Sequence, residues 1–378
     1  MFDSLPQFLI QAFVFLFGLA IVIATIFSAV ETFVVPRSAG DLLTGFVFRR
    51  VLSVFLLLTH KARTYQERDR AMAFFAPVAL LALPPTWIFL VTLGYTLMFW
   101  SVGYGDFIKS FEVSGSSVLT LGFVAVSRFP EYLLTFSEAL IGLTLIALLI
   151  AYLPTIYGIF QRREVMVNLL DVRAGSPPTA WEMIARYNRI HGLENLSEQW
   201  RVWEQWFADI EESHTSIFAV IFFRSQQSDR SWITAAGAIL DCAAFARSTL
   251  DIPRDAQADL CIRAGFIALR RICDFFRIPY NPNPKPDDPI SIARVEYDTV
   301  CDNLAQQGVP LKTDRDQAWR DFAGWRVNYD VPLLALCALT MAPYAPWSSD
   351  RSLRLQNLVR PGKKISQAIA EEINKELT

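Results

Sequence analysis

The pattern of apolar and polar positions divides the chain into two physically different halves. Residues 8–30 carry no charge, 72–105 carry none either, and 132–160 carry only Glu138. Beyond about residue 165, apolar and charged residues alternate at helical spacing. About 20 apolar residues in a helix cross a hydrocarbon core of roughly 30 Å. Three spans are therefore expected, near 8–35, 73–101 and 131–160. The first reads as a span rather than a cleaved signal peptide, because the leading residues hold no Lys or Arg and the apolar run is too long. Pro84 and Pro85 should kink the second, since proline removes a donor and crowds the preceding turn.

Charge orients these spans. Between residues 36 and 71 stand Arg37, Arg49, Arg50, Lys61, Arg63, Arg68 and Arg70 against Asp41, Glu67 and Asp69, and Arg162 and Arg163 close the third span. Lys and Arg favour the cytoplasmic side. The N-terminus is then outside, the basic segment inside, residues 101–130 outside and the C-terminal half cytosolic. Within the basic segment, GFVFRRVLSVFLLLTH (45–60) is apolar but broken by paired arginines, and is expected to lie as an amphipathic helix at the inner leaflet or to rest against the bundle.

Residues 110–127, SFEVSGSSVLTLGFVAVS, are too polar to span and too apolar for a solvent loop. Irregular backbone at membrane depth survives only where protein shields it or where it lines a watery cavity, so a re-entrant pore loop is expected. The order of elements over 77–160 resembles the pore module of bacterial potassium channels: outer helix, pore helix, a filter of TVGYG type, inner helix. The chain is also similar to bacterial proteins in which ETxxxPR closes a first span and RREVxxxLLDxRAGSPP opens a helical domain, here Glu31 to Arg37 and Arg162 to Pro178. The resemblance implies a homotetramer that passes monovalent cations across the inner membrane. It places Thr120, Leu121, Gly122 and Phe123 at the filter, with Ser114 to Leu119 ending the pore helix, and makes Gly142 and Pro154 possible gating hinges. Gly142 also suits close packing and Pro154 an ordinary kink. A filter points successive carbonyls inward and needs residues free to adopt positive φ. Gly122 has that freedom and Val124 does not, so at most one or two carbonyl rings are expected and potassium selectivity does not follow. A rival string, Ser101-Val102-Gly103-Tyr104-Gly105-Asp106, matches the filter better but lacks the flanking elements, and reads as a helix end capped by glycine. Glu31 and Glu138 are acids in or near apolar spans, which makes them functional candidates; for Glu31 the alternative is a simple ion pair with Arg37.

In the polar half, AGSPPTA (174–180) marks a boundary between a membrane domain, 1–173, and a helical domain, 180–378. Leu196, Trp200, Trp203, Phe207 and Ile210 form one apolar helix face, and Ile262, Phe266, Leu269, Cys273 and Phe276 another. Runs at 217–223 and 331–339 are expected as core helices, and the proline-rich 279–289 as a connector between two sub-bundles. The fold class is all-α. His214, Arg224, Ser225, Gln226 and Asp229 present either a polar pocket or a set of caps and ion pairs.

Composition sharpens the picture. The chain has 378 residues, 53% hydrophobic, with 29 Phe, 10 Trp and a net charge of -2. That balance gives no basis for nucleic-acid binding. Cys242, Cys261, Cys273, Cys301 and Cys337 all lie in the polar half, without CxxC spacing, and read as buried reduced thiols. His60, His191 and His214 show no metal-ligand spacing, so no metal or cofactor is expected. No phosphate loop, GxSxG or HExxH points to an enzyme. The expectation is a cation channel with a cytosolic regulatory domain; the alternative is a non-conducting membrane scaffold that kept the pore topology.

Overall fold

A computed structural model describes residues 4–33, 35 and 41–352. Among these residues the chain is all-helical and forms no strand. The helices are α1 (Ser4–Phe33), α2 (Leu42–Thr59), α3 (Tyr65–Met72), α4 (Phe75–Ser101), α5 (Phe107–Val118), α6 (Phe129–Ala174), α7 (Ala180–Arg189), α8 (Leu196–Ser216), α9 (Trp232–Ser248), α10 (Ala256–Phe276), α11 (Arg294–Gln306), α12 (Arg315–Arg326) and α13 (Asp330–Thr340). They group into two compact units: Met1–Leu52 with Phe75–Gly158, and Ser53–Phe74 with Ile159–Thr378.

The first unit exposes large apolar side chains and buries polar ones among its apolar core. Phe13, Phe136 and Leu140 are 70%, 67% and 66% exposed, whereas Thr96, Ser110, Ser114 and Glu138 are 0% exposed. Water would reverse that order; a hydrocarbon solvent produces it, because lipid competes for apolar contacts and offers no hydrogen bonds. Four helices are long and apolar enough to cross a membrane: α1 from Gln7, α2, a stretch of Tyr65–Ser101 that includes α4, and α6. Helix α2, expected at the interface, thus meets the length criterion as well. Small residues bring α1 and α4 together: a Cβ on Gly18 would stand 2.5 Å from the Gly94 carbonyl oxygen, and one on Gly94 would stand 2.7 Å from Val22. The Trp87 indole then donates to Ser28 Oγ at 3.0 Å. Helix α4 continues through Pro84 and Pro85.

The second unit has an ordinary apolar core. Helix α9 is buried on nearly every side, as its run of small residues, AAGAILDCAAFA, permits. Around it pack Trp200, Trp203 and Phe207 of α8, Ile262 and Leu269 of α10, and Phe322 of α12. One core runs from the end of α6 to Trp347, so the expected pair of sub-bundles is a single body, and 279–289 is a surface connector within it. Residues 331–339 form the core helix α13, whereas 217–223 hold only the short 3-10 turn Phe218–Phe222. All five cysteines are buried and free. The AGSPPTA turn lies inside this unit, joining α6 to α7.

A buried cation organises that core. Arg326, 0% exposed, donates to Asp241 of α9 at 2.5 Å, to Asp330 at 2.7 Å and to the Trp347 carbonyl at 2.7 Å. Tyr329 adds a bond to Asp241 at 2.9 Å, and Ser291 binds Asp330 through N and Oγ. Removing one partner from such a set leaves an uncompensated charge, at a cost of about 3–5 kcal/mol. Arg326→Met should therefore lower the unfolding free energy of the full chain by about that amount, read by denaturant titration of tryptophan fluorescence. Arg326→Lys should lose a substantial part of it, since three ammonium donors cannot reproduce the guanidinium fork. A loss under about 1 kcal/mol in Arg326→Met would remove the network from this role.

Candidate functional site

The site is the passage from α4 through α5 to α6 in the first unit. Helix α4 ends where SVGYGD begins: Gly103 takes φ +75° and Tyr104 N returns to the Phe99 carbonyl at 3.1 Å. Asp106 then caps α5, accepting from Lys109 N at 2.9 Å. SVGYGD is thus one helix stop followed by one helix start. Helix α5 is 12 residues, far too short to cross. Its buried face carries Ser110, Val113, Ser114, Ser116 and Ser117.

At the end of α5 the chain turns sharply. Thr120 and Gly122 both adopt the left-handed region, at φ +54° and +68°. Their alternation with right-handed or extended neighbours turns consecutive amides to one side. Leu121 N and Gly122 N reach the Ser116 carbonyl at 2.8 and 3.4 Å, and Phe123 N and Val124 N reach Ser116 Oγ at 3.1 and 3.4 Å. In a planar trans peptide the carbonyl of the preceding residue points opposite to the N–H. The carbonyls of Thr120, Leu121, Gly122 and Phe123 therefore face away from Ser116. The Leu121 and Phe123 side chains are 61% and 67% exposed. Further along, Ser127 N and Arg128 N are accepted by Glu131 Oε2 at 3.1 and 3.0 Å, which starts α6.

Helices α5 and α6 run parallel and touch at matched positions. A Cβ on Gly142 would stand 2.0 Å from the Val118 carbonyl oxygen, and one turn earlier on each helix Ser114 Oγ lies 2.5 Å from Glu138 Oε1. Ser114 Oγ also lies 3.0 Å from the Thr92 carbonyl of α4. Tyr95 of α4 donates to Ser137 of α6 at 2.9 Å. Gly142 thus seats the end of α5, while Pro154 lies on an exposed stretch of an α6 that continues unbroken to Ala174. Glu31 sits in the last turn of α1, and Arg37 lies outside the described residues.

Thr120 to Phe123 share one loop; Gly142 and Pro154 are apart from it on α6. The sequence pattern does not single out Ser116, whose two oxygens template the loop, nor the left-handed Thr120, since a β-branched residue is disfavoured there. The run SGSS at 114–117 inside an apolar stretch is the signal that marks the buried hydroxyls.

The second unit offers other sites. His214 and Arg224 do not share a pocket. His214 is buried against Trp232, with ring centroids 4.7 Å apart, and Nε2 lies 3.4 Å from the Arg163 guanidinium. Burial and that cation hold His214 well below its usual range, so the neutral imidazole accepts at Nε2. Arg224 pairs with Asp69 at 2.5 Å and donates to the Thr340 carbonyl at 3.0 Å, while Asp229 accepts from Ser176 at 2.7 Å. These are caps and ion pairs. A separate cleft of about 640 Å³ is lined by Leu196, Trp200, Ile252, Arg254, Asp255 and Lys312, among others. Lys312 is engaged there with the Arg247 and Ser248 carbonyls.

No protein-family model, no curated protein and no solved structure matches the chain.

The close seat at Gly142 makes a direct prediction. Gly142→Ala drives a methyl into the Val118 carbonyl, and should lower the thermal midpoint of the full chain in detergent by an amount equivalent to about 1–3 kcal/mol. Gly115→Ala, where a Cβ meets nothing within 4 Å, should leave it unchanged or raise it. Equal midpoints for both variants would contradict the parallel seating of α5 on α6.

Proposed function

We propose that the first unit is the pore-forming part of a cation channel in a cell membrane, assembled from several copies of the chain, with the second unit as its cytosolic regulatory domain. The observation that supports this best is the loop after α5. Four successive amides turn to Ser116, which leaves the carbonyls of Thr120, Leu121, Gly122 and Phe123 facing away from it, between two helices long enough to span. Carbonyls presented in a row replace the hydration shell of a monovalent cation. A single loop cannot enclose a path, and the exposed Leu121 and Phe123 give neighbouring copies an apolar contact; a fourfold ring is the arrangement the channel reading implies. Val124 stays outside the left-handed region, so the carbonyl array is short and the reading is a weakly selective pore. The bulk of Leu121 and Phe123 at the loop tip favours the second reading, a non-conducting membrane scaffold.

The arrangement we favour has three spans, α1, α4 and α6, with α2 at the interface. Arg49 and Arg50 are exposed halfway along α2, where each would cost about 2.5–3.5 kcal/mol at the centre of a span. The second half of α2 belongs with the polar unit. In that unit Tyr65 donates to the Met341 carbonyl at 3.1 Å, and Asp69 pairs with Arg224, so the segment after α2 and the C-terminal domain share one side of the membrane. The cleft beside Trp200 has the volume of a small-molecule site and is the candidate place for a regulatory ligand.

Recording from the full chain in planar bilayers tests conduction. Cation currents with little discrimination between potassium and sodium are expected, and Gly122→Asp should alter unitary conductance severalfold. Conductance unchanged in Gly122→Asp would take the loop out of the pore, and a stable silent monomer or dimer would favour the scaffold. Topology is testable separately, because the native cysteines are buried. An impermeant maleimide should reach Asp3→Cys and His60→Cys from opposite faces of a sealed vesicle; labelling from the same face would make α2 a fourth span.

A further inference from the structure

Glu138 is enclosed at 0% exposure with no basic side chain bonded to it among the described residues. Among the described residues its hydrogen-bond contact is Ser114 Oγ at 2.5 Å, and Oε2 has no partner there. The charges of neighbouring elements are directed elsewhere. Helix α4 carries none, and its titratable group there, Tyr95, donates to Ser137. On α5, Lys109 and Glu112 are exposed; at the start of α6, Glu131 is paired with Arg128 at 2.5 Å. A carboxylate enclosed with one donor and no cation is prohibitively costly, so the group must be neutralised.

Proton accounting identifies how. Ser114 Oγ has one hydrogen and two oxygens within reach, Glu138 Oε1 and the Thr92 carbonyl at 3.0 Å. A carbonyl only accepts. Both contacts are hydrogen bonds together only when Oε1 carries a proton and donates to Ser114, which donates onward to Thr92. An acid in that state asks little of Oε2, in keeping with its lack of donors.

We propose that Glu138 is a proton-binding site whose bound proton ties the three helices together, α6 to α5 through Ser114 and α5 to α4 through the Thr92 carbonyl. A second set of hydroxyls stands ready for the deprotonated form. One turn back along each helix are Ser110 and Thr135, whose oxygens are buried and unpaired. That is unusual here: Thr25, Thr86, Thr92, Thr96 and Ser117 all return their hydroxyls to the carbonyl four residues earlier in their own helix. When the proton leaves for solvent, Ser114 turns its hydrogen to the carboxylate and gives up the bond to Thr92, and the unpaired hydroxyls of Ser110 and Thr135 one turn back are available to reorient with it. Two hydrogen-bond arrangements of one seam, separated by one proton, make a two-state element beneath the helix that carries the loop. This stands whether or not the loop conducts.

Infrared spectroscopy of the full chain in lipid vesicles tests it. Wild type at neutral pH should show a protonated-carboxyl band that Glu138→Gln lacks. Glu138→Gln should keep the wild-type thermal midpoint, because its amide also donates to Ser114, whereas Glu138→Ala should lower it. Ser114→Ala removes no ionisable group and should shift the band toward that of an unbonded acid. Two results would overturn the proposal: wild type and Glu138→Gln alike in the protonated-carboxyl region at neutral pH, or a band unmoved in Ser114→Ala.

Discussion

Hydrocarbon offers no hydrogen bonds, and the first unit is arranged around that constraint. Polar groups in α1, α4, α5 and α6 are driven to find partners inside the protein, so buried hydroxyls sit beside apolar side chains while Phe13, Phe89 and Phe136 face outward. Most threonines and serines satisfy themselves on their own helix, which needs no neighbour and fixes no packing. The groups that reach across are therefore the ones that set the architecture: Trp87 to Ser28 joins α4 to α1, Tyr95 to Ser137 joins α4 to α6, and Ser114 joins α5 to its neighbours on both sides. Glycine brings the same helices close enough for such bonds, as where Gly18 meets Gly94 between α1 and α4.

The same constraint explains why a helix as short as α5 is stable at all. Twelve residues are marginal for a helix in isolation. Asp106 satisfies its first turn, Ser116 binds the chain that leaves it, and its serine face is buried against α4 and α6. The second unit answers to water instead and uses the opposite logic, burying tryptophans and phenylalanines around α9. Its polar exception, Arg326 with Asp241 and Asp330, is tolerated because each of the three guanidinium nitrogens finds an acceptor.

How much of this was legible in the sequence follows from the range of each signal. Uncharged runs announce lipid-exposed helices directly, and α1, α4 and α6 cover the expected segments. The five positions from Leu196 to Ile210 are all buried, because helical periodicity reports a face without needing to know what covers it. Legibility fell where meaning depends on a distant residue. Nothing in 217–223 distinguishes a core helix from the single turn observed; nothing near Tyr65 reveals that it bonds a carbonyl at Met341. The site divides in the same way. Gly122 was readable because positive φ favours glycine, and its φ is +68°. Thr120 was not, because its conformation is imposed from outside by Ser116.

That imposition bears on what the loop can do. In a glycine-rich filter, carbonyl direction follows from residues that take positive φ without penalty. Here one glycine is present where more would be needed, and Thr120 holds the second left-handed position at a steric cost of roughly 1–2 kcal/mol. The four amides turned onto Ser116 offset it, since even weakened hydrogen bonds contribute about 0.5–1.5 kcal/mol each. The balance favours the loop as observed by a small margin, and it depends on Ser116 staying where α5 places it. Among the described residues no oxygen of α5 accepts from an amide beyond Val124, so the set turned onto Ser116 has four members. On the proposed channel reading, a short array held by one serine selects less well than a longer one held by its own backbone preferences, and it is more easily shifted when α5 moves. Any regulation of this loop therefore has its natural lever in the bonds that hold α5 to α4 and α6, rather than in the loop itself.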